Sequence, residues 1–168
     1  MKSRSWIAGA VLFMALFTSA STQAEETLQA ELVIGAGVLN PLHDEEGKQW
    51  MGVLEYRFPE MKWNVRPWIG VAHAERGTTC TSVGLLYTFT LRKRLRFSAG
   101  WAPTYYDACN GRKLGSDLDF YSFAEGGYVF KNNHAMSVRF GHLSNGGFAS
   151  SNPGTETLQL AYSLPFPP

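Results

Sequence analysis

Between Ala30 and Val38 every even-numbered position is apolar (Ala30, Leu32, Ile34, Ala36, Val38), while Glu31, Gly35 and Gly37 lie between them. A repeat of two is the mark of a β-strand, whose successive side chains point to opposite faces. The same alternation recurs along the chain. Trp50, Leu54, Tyr56 and Phe58 oppose Glu55 and Arg57; Val65, Ile69 and Val71 oppose Arg66; Val83, Leu85, Tyr87, Phe89 and Leu91 oppose Ser82, Thr88 and Thr90. Leu95, Phe97, Ala99 and Trp101 then oppose Arg96, Ser98 and Thr104, and Leu118, Phe120, Ala124, Tyr128 and Phe130 oppose Asp117, Asp119 and Glu125. Met136, Val138 and Phe140 face away from Ser137 and Arg139, and Leu158, Leu160, Tyr162 and Leu164 away from Thr157, Gln159 and Ser163. The pattern predicts an all-β chain of eight strands.

Which face is the inside follows from the charges. One face collects Glu31, Glu55, Asp119 and Glu125 with Arg57, Arg66, Arg96 and Arg139. Charges of both signs in that number do not make a hydrophobic core, but they can pair in a narrow lumen while the apolar face meets lipid. The expected fold is an eight-stranded antiparallel transmembrane β-barrel. A lipocalin-like soluble barrel, which also has eight strands, is the alternative. Connections alternate short (Pro59 to Asn64, Arg92 to Arg94, Lys131 to His134) and long (Asn40 to Gln49, Arg76 to Cys80, Asp107 to Ser116, Asn145 to Gly154). With an even strand count both termini fall on the short-turn, periplasmic side, so the long loops face outward. Tyr162 and Phe166 suit the aromatic ending of such barrels, from which Pro167 and Pro168 depart.

The start of the chain agrees with export. Lys2 and Arg4 precede an apolar run from Trp6 to Phe17 and then small and polar residues up to Ala24. The run is too short to span a bilayer and reads as a cleaved signal peptide over 1–24, which leaves the barrel domain over 25–168. Removing Lys2 and Arg4 leaves thirteen of the fifteen Lys and Arg against fourteen Asp and Glu. That near-neutral balance gives no support to a nucleic-acid partner.

Two cysteines in an oxidising compartment predict a Cys80–Cys109 disulfide between the second and third outer loops, two independent thiols being the alternative. Asp117 with Asp119, and Asp44, Glu45 and Glu46, are acidic groups without the spacing of a metal loop, and no metal or other cofactor is expected. His43, His73 and His134 are assigned no chemistry.

One strand breaks its own pattern. The apolar series Met136, Val138, Phe140 continues with His142 and Ser144, which by parity point toward lipid, and Glu156 precedes Leu158 on the same face of the next strand. A hairpin register pairing His142 with Glu156 also aligns Phe140 with Leu158 and Val138 with Leu160. Cross-strand neighbours of this kind are roughly 5 Å apart at Cβ, within reach of a His–carboxylate hydrogen bond. Ser144 lies on the same face, two residues nearer the loop. Such a set suits acyl transfer: a hydroxyl nucleophile, an imidazole base and a carboxylate that orients it. Asn145, Gly147 and Asn152 offer amide donors for an oxyanion. The bland alternative is a polar rim that only meets headgroups.

The run His142-Leu-Ser144-Asn145-Gly-Gly147-Phe-Ala-Ser-Ser-Asn152-Pro153-Gly154-Thr-Glu156 resembles the signature of the lipid A 3-O-deacylases, the PagL family. The resemblance covers the last two strands, about a fifth of the chain by inspection of the motif. It implies an outer-membrane esterase that releases the 3-hydroxyacyl chain from position 3 of lipid A without a metal. Ser144 corresponds to the nucleophile, His142 to the base and Glu156 to the orienting acid. Gly147 and Asn152 match places associated with the oxyanion hole, with Asn145 in support. Phe140, Val138, Leu158 and Leu160 continue the outward face toward the membrane centre as an acyl-chain surface. The partner is then lipid A of the outer-leaflet lipopolysaccharide, and a second copy of the chain is an admissible partner in the membrane. The rival functions are a non-catalytic structural or adhesive barrel and a lipid A palmitoyltransferase. The latter is expected to need an apolar interior for an acyl chain.

Overall fold

A computed structural model describes residues 28–42 and 47–166. The segment expected to be a signal peptide, His43 and the acidic group Asp44, Glu45 and Glu46 lie outside the described residues. Eight strands follow one another: β1 (Glu31–Leu39), β2 (Gln49–Arg57), β3 (Val65–Ala74), β4 (Thr79–Leu91), β5 (Leu95–Asp107), β6 (Leu118–Val129), β7 (Ala135–Ser144) and β8 (Thr155–Pro165). Each pairs antiparallel with its sequence neighbours, and β1 closes on β8 through Ile34↔Tyr162 and Val38↔Leu158. Closure leaves no edge strand, so the backbone polar groups of the wall are satisfied within the sheet, as hydrocarbon demands.

The parity holds on every strand. Trp50, Leu54, Ile69, Val83, Leu85, Trp101, Leu118, Val138, Phe140 and Leu160 are exposed on the outer wall, whereas Glu55, Arg57, Arg66, Arg96, Glu125 and Arg139 are buried inside. So broad an apolar exterior around a charged interior is the inverse of a soluble barrel, and the lipocalin-like alternative fails on that ground.

The lumen is divided along its length. Its periplasmic half is an ion-pair lattice. Arg57 donates to Glu125 at 2.8 and 3.0 Å, Arg139 donates to Glu125 at 2.7 Å and also to Glu55, and Glu31 accepts from Arg66 at 2.9 Å and Arg96 at 2.5 Å. Buried charges are tolerated only when paired like this. The outer half is instead packed with Leu39, Met51, Trp68, Leu86, Tyr106, Tyr121, Phe123 and Leu143. Trp68 meets Phe123 edge-on at 5.6 Å, and the Arg139 guanidinium sits 4.0 Å above the Phe123 ring where the two zones join. Seven of the eight lumen charges pair in this way, and Asp119 does not. Asp119 lies in the apolar half, fully buried, and neither carboxylate oxygen has a hydrogen-bond partner. Its register position opposite Thr104 puts it too near the outer rim to reach the arginines. Packing leaves a lumen cavity of about 30 Å³, room for one water.

Two expectations are corrected. The join expected to be long between β3 and β4 is a tight connection, because β4 starts at Thr79 and the turn closes on itself through Ala74 N–H to Thr78 O at 2.8 Å, with Gly77 at φ +86°. Glycine alone takes that φ without strain. The cysteines are not bonded to each other: Cys80 is buried on the lumen face of β4, whereas Cys109 is exposed in the β5–β6 loop. Parity explains this, since Cys80 alternates inward with Ser82 while the chain has already left β5 at Cys109.

Candidate active site

The β7–β8 hairpin carries the polar break in the outer wall. Its register pairs Val138 with Leu160, Phe140 with Leu158 and His142 with Glu156, so the two apolar rows lead directly up to the polar row. His142 Nδ1 lies 3.3 Å from Glu156 Oε1, with 47% of the imidazole and 21% of the carboxylate side chain exposed. The pair thus sits on the outer surface, at the extracellular end of both strands, where headgroups rather than hydrocarbon are the neighbours.

Ser144 is the last residue of β7 and is half-buried. It points to the same face as His142, one row nearer the loop, opposite Phe120 of β6. The structure brings His142 and Glu156 together, but among the described residues no hydrogen bond joins Ser144 to His142. An apo site commonly tightens such contacts only around its substrate.

Gly154 positions the ring. It has φ +60°, and a Cβ placed on it would lie 2.9 Å from His142 Cε1 and 3.4 Å from Nε2. The imidazole therefore rests against bare backbone, with its Nδ1 edge on Glu156 and its Nε2 edge toward the loop. In the sequence Gly154 is legible only as part of the motif; its close approach to the imidazole is visible only in three dimensions.

Asn145 organises the loop. It is fully buried; its Nδ2 donates to Leu114 O at 2.9 Å and Ser151 O at 2.7 Å, its Oδ1 accepts from Gly147 N–H at 2.9 Å, and its own N–H donates to Asn152 Oδ1 at 3.1 Å. Both Nδ2 hydrogens are thereby used. Asn145 and Gly147 hold the turn in this state, while Asn152 is engaged through its oxygen and keeps its Nδ2 group open. On the far side, Asn40 N–H donates to Glu156 O at 2.8 Å and Thr155 Oγ1 to Asn40 Oδ1 at 3.2 Å, tying the start of β8 to β1.

Residues set aside earlier stay apart from this site. His73 Nδ1 bonds Thr79 Oγ1 at 2.9 Å and His134 Nδ1 bonds Tyr162 Oη at 2.8 Å, each elsewhere on the wall. Asp117 is exposed while Asp119 is buried, and no cluster of three metal-ligating side chains occurs among the described residues. Sequence reading missed Ser122. It interrupts the outward series of β6 between Phe120 and Ala124 and stands directly opposite His142. The same parity rule applied to that strand reveals it.

Known proteins share the fold and part of the sequence. The lipid A deacylase PagL of Bordetella bronchiseptica is 26% identical over 76 residues, which is 44% of this chain and 43% of that protein, so the alignment spans less than half of the relative. The crystal structure of the outer membrane enzyme PagL superposes with a TM-score of 0.64 at 22% identity, covering 81% of this chain and 99% of that one. Neisserial surface protein A shares the barrel at a TM-score of 0.60 and 12% identity, over 84% of this chain and 100% of that one. The apolar outer wall and these neighbours put the protein in the outer membrane. The family model described as lipid A 3-O-deacylase (PagL) matches residues 35–165, and the chain belongs to that family.

Proposed function

We propose that the chain hydrolyses the ester that links a 3-hydroxyacyl chain to position 3 of lipid A, with Ser144 as nucleophile, His142 as base and Glu156 as its orienting carboxylate. The observation that carries this reading is the 3.3 Å contact between His142 Nδ1 and Glu156 Oε1 on the lipid-facing wall, with Ser144 on the same face. A bare polar rim has no need of a carboxylate in register with an imidazole.

With Nδ1 held by Glu156, His142 presents Nε2 toward the loop and takes the proton of Ser144 as Oγ attacks the ester carbonyl. Glu156 stabilises the imidazolium that results. The Asn152 Nδ2 group donates to the oxyanion, while Asn145 and Gly147 keep the loop in shape. Collapse expels the sugar alkoxide, which takes the proton from His142, and water then repeats the cycle on the acyl-enzyme. Phe140, Val138, Leu158 and Leu160 provide apolar wall below the ester. The substrate arrives laterally from the outer leaflet, because the lumen is filled by the ion-pair lattice and by the packed rings of Trp68, Tyr121 and Phe123.

The test is fatty-acid release from lipid A by purified, refolded protein. Ser144→Ala is expected to keep the heat-modifiable mobility of a folded barrel and to release no 3-hydroxy fatty acid; unchanged release would remove Ser144 from the mechanism.

A further inference from the structure

Ser122 is the one outward polar residue beside the site that the proposed mechanism leaves unused. It is exposed on the wall of β6, and its hydroxyl has no hydrogen-bond partner among the described residues. In register it lies between Trp101 of β5 and His142 of β7. Phe120 is opposite Ser144, so Ser122 is the diagonal neighbour of Ser144, one row nearer the membrane centre. At this row, where headgroups meet the acyl chains, an outward hydroxyl with no partner in the protein is placed to meet a polar group brought by the substrate.

We propose that Ser122 is a specificity-determining residue that hydrogen-bonds a hydroxyl on the third carbon of the departing acyl chain, so that the site selects 3-hydroxyacyl esters over plain acyl esters. The inference rests on Ser144 being the nucleophile. Diagonal cross-strand neighbours are separated by roughly 7–8 Å. Oγ approaches the carbonyl carbon to about 3 Å, three bonds of about 1.5 Å each carry a β-hydroxyl oxygen onward from that carbon, and a hydrogen bond adds about 2.8 Å. That reach spans the diagonal. Past Ser122 the outward residues of β6 shrink to Ala124 and Gly126, between Phe97 of β5 and Phe140 and Val138 of β7. A Cβ on Gly126 would touch only Phe97, at 3.6 Å. The chain thus leaves Ser122 along a shallow channel that uses Phe140 and Val138 as one wall.

The experiment uses two lipid A substrates that differ only in whether the 3-O-acyl chain carries its β-hydroxyl, and compares kcat/KM for the wild-type protein, Ser122→Ala and Ser122→Thr. The wild type is expected to favour the hydroxylated ester. Ser122→Ala is expected to lower that preference about fivefold to tenfold, the effect of one net hydrogen bond, and Ser122→Thr to retain it. A wild-type ratio near one, or a Ser122→Ala variant that slows both esters in proportion, would overturn the inference while leaving the esterase in place. Failure of the folded wild-type protein to cleave either ester would instead overturn the esterase reading, and the inference with it.

Discussion

Replacing Gly154 by alanine adds one methyl group where the imidazole of His142 rests. The new Cβ would stand 2.9 Å from Cε1, against the 3.4 Å or more of ordinary contact, so the ring must move by at least half an ångström. The move works against an Nδ1–Oε1 contact that is already 3.3 Å long. Misplacing a catalytic group by about 1 Å costs about a hundredfold in rate, and we expect kcat to fall about tenfold to a hundredfold with KM nearly constant. The φ of +60° is a second burden, costing alanine about 1–2 kcal/mol of stability. The two effects separate with Gly154→Asn. Asparagine accepts this backbone region more readily but still brings a Cβ, so it should restore stability in urea titrations and not turnover. Near-normal turnover in Gly154→Ala, or recovery of turnover in Gly154→Asn, would refute the role of the glycine as a bare seat for the imidazole.

Three further outcomes follow from the same geometry. Glu156→Gln should preserve barrel assembly, because the side chain sits at the interfacial end of β8, and should lower turnover by roughly three to four orders of magnitude, as removal of the orienting acid does in other triads; near-normal turnover would contradict the orienting role. Arg139→Leu strips Glu55 and Glu125 of a shared partner inside the barrel and should cost about 3–5 kcal/mol in urea unfolding, with the turnover of the molecules that remain folded little changed. Maleimide labelling of the folded protein without reductant should modify the exposed Cys109 and spare the buried Cys80 until the barrel is unfolded, and protection of both thiols released only by reductant would restore the disulfide.

Period-two alternation made the barrel legible because a membrane wall forces each strand to choose one apolar face, and the choice is visible residue by residue from Leu32 to Leu164. The register of the β7–β8 hairpin was legible for the same reason: only the pairing of His142 with Glu156 keeps Val138 beside Leu160. What parity does not encode is depth. Asp119 and Glu125 share a face, yet one lies among apolar rings and the other among arginines, and only the stagger of the closed sheet decides which. The split of the lumen escaped the sequence for that reason. It also changes the case against a palmitoyltransferase. An interior crowded with charge was the expected obstacle to an acyl chain, but the outer half is apolar and is closed instead by the packing of Trp68, Tyr121 and Phe123.

A filled lumen is no handicap to the proposed esterase, whose substrate is already in the bilayer. On the proposed mechanism lipid A reaches the site along the outer wall, so the chemistry needs a surface rather than a channel, and the interior is free to serve stability alone. Parity then separates the two duties along a single strand. On β7, Ser137 and Arg139 face the lumen, where Arg139 ties β7 to β2 and β6 through Glu55 and Glu125, while Val138, Phe140, His142 and Ser144 face the lipid. One strand can carry a stabilising lattice and a reactive row because side chains alternate and a rigid wall holds the row in register. The proposed reactive row is affordable only near the rim: a carboxylate at the membrane midplane would face hydrocarbon, whereas Glu156 is the second residue of β8, beside the loop that Asn145 holds. The position of the site along the strand is thus set by the membrane, and its position around the barrel by the one hairpin whose loop folds back, through Gly154, onto the imidazole.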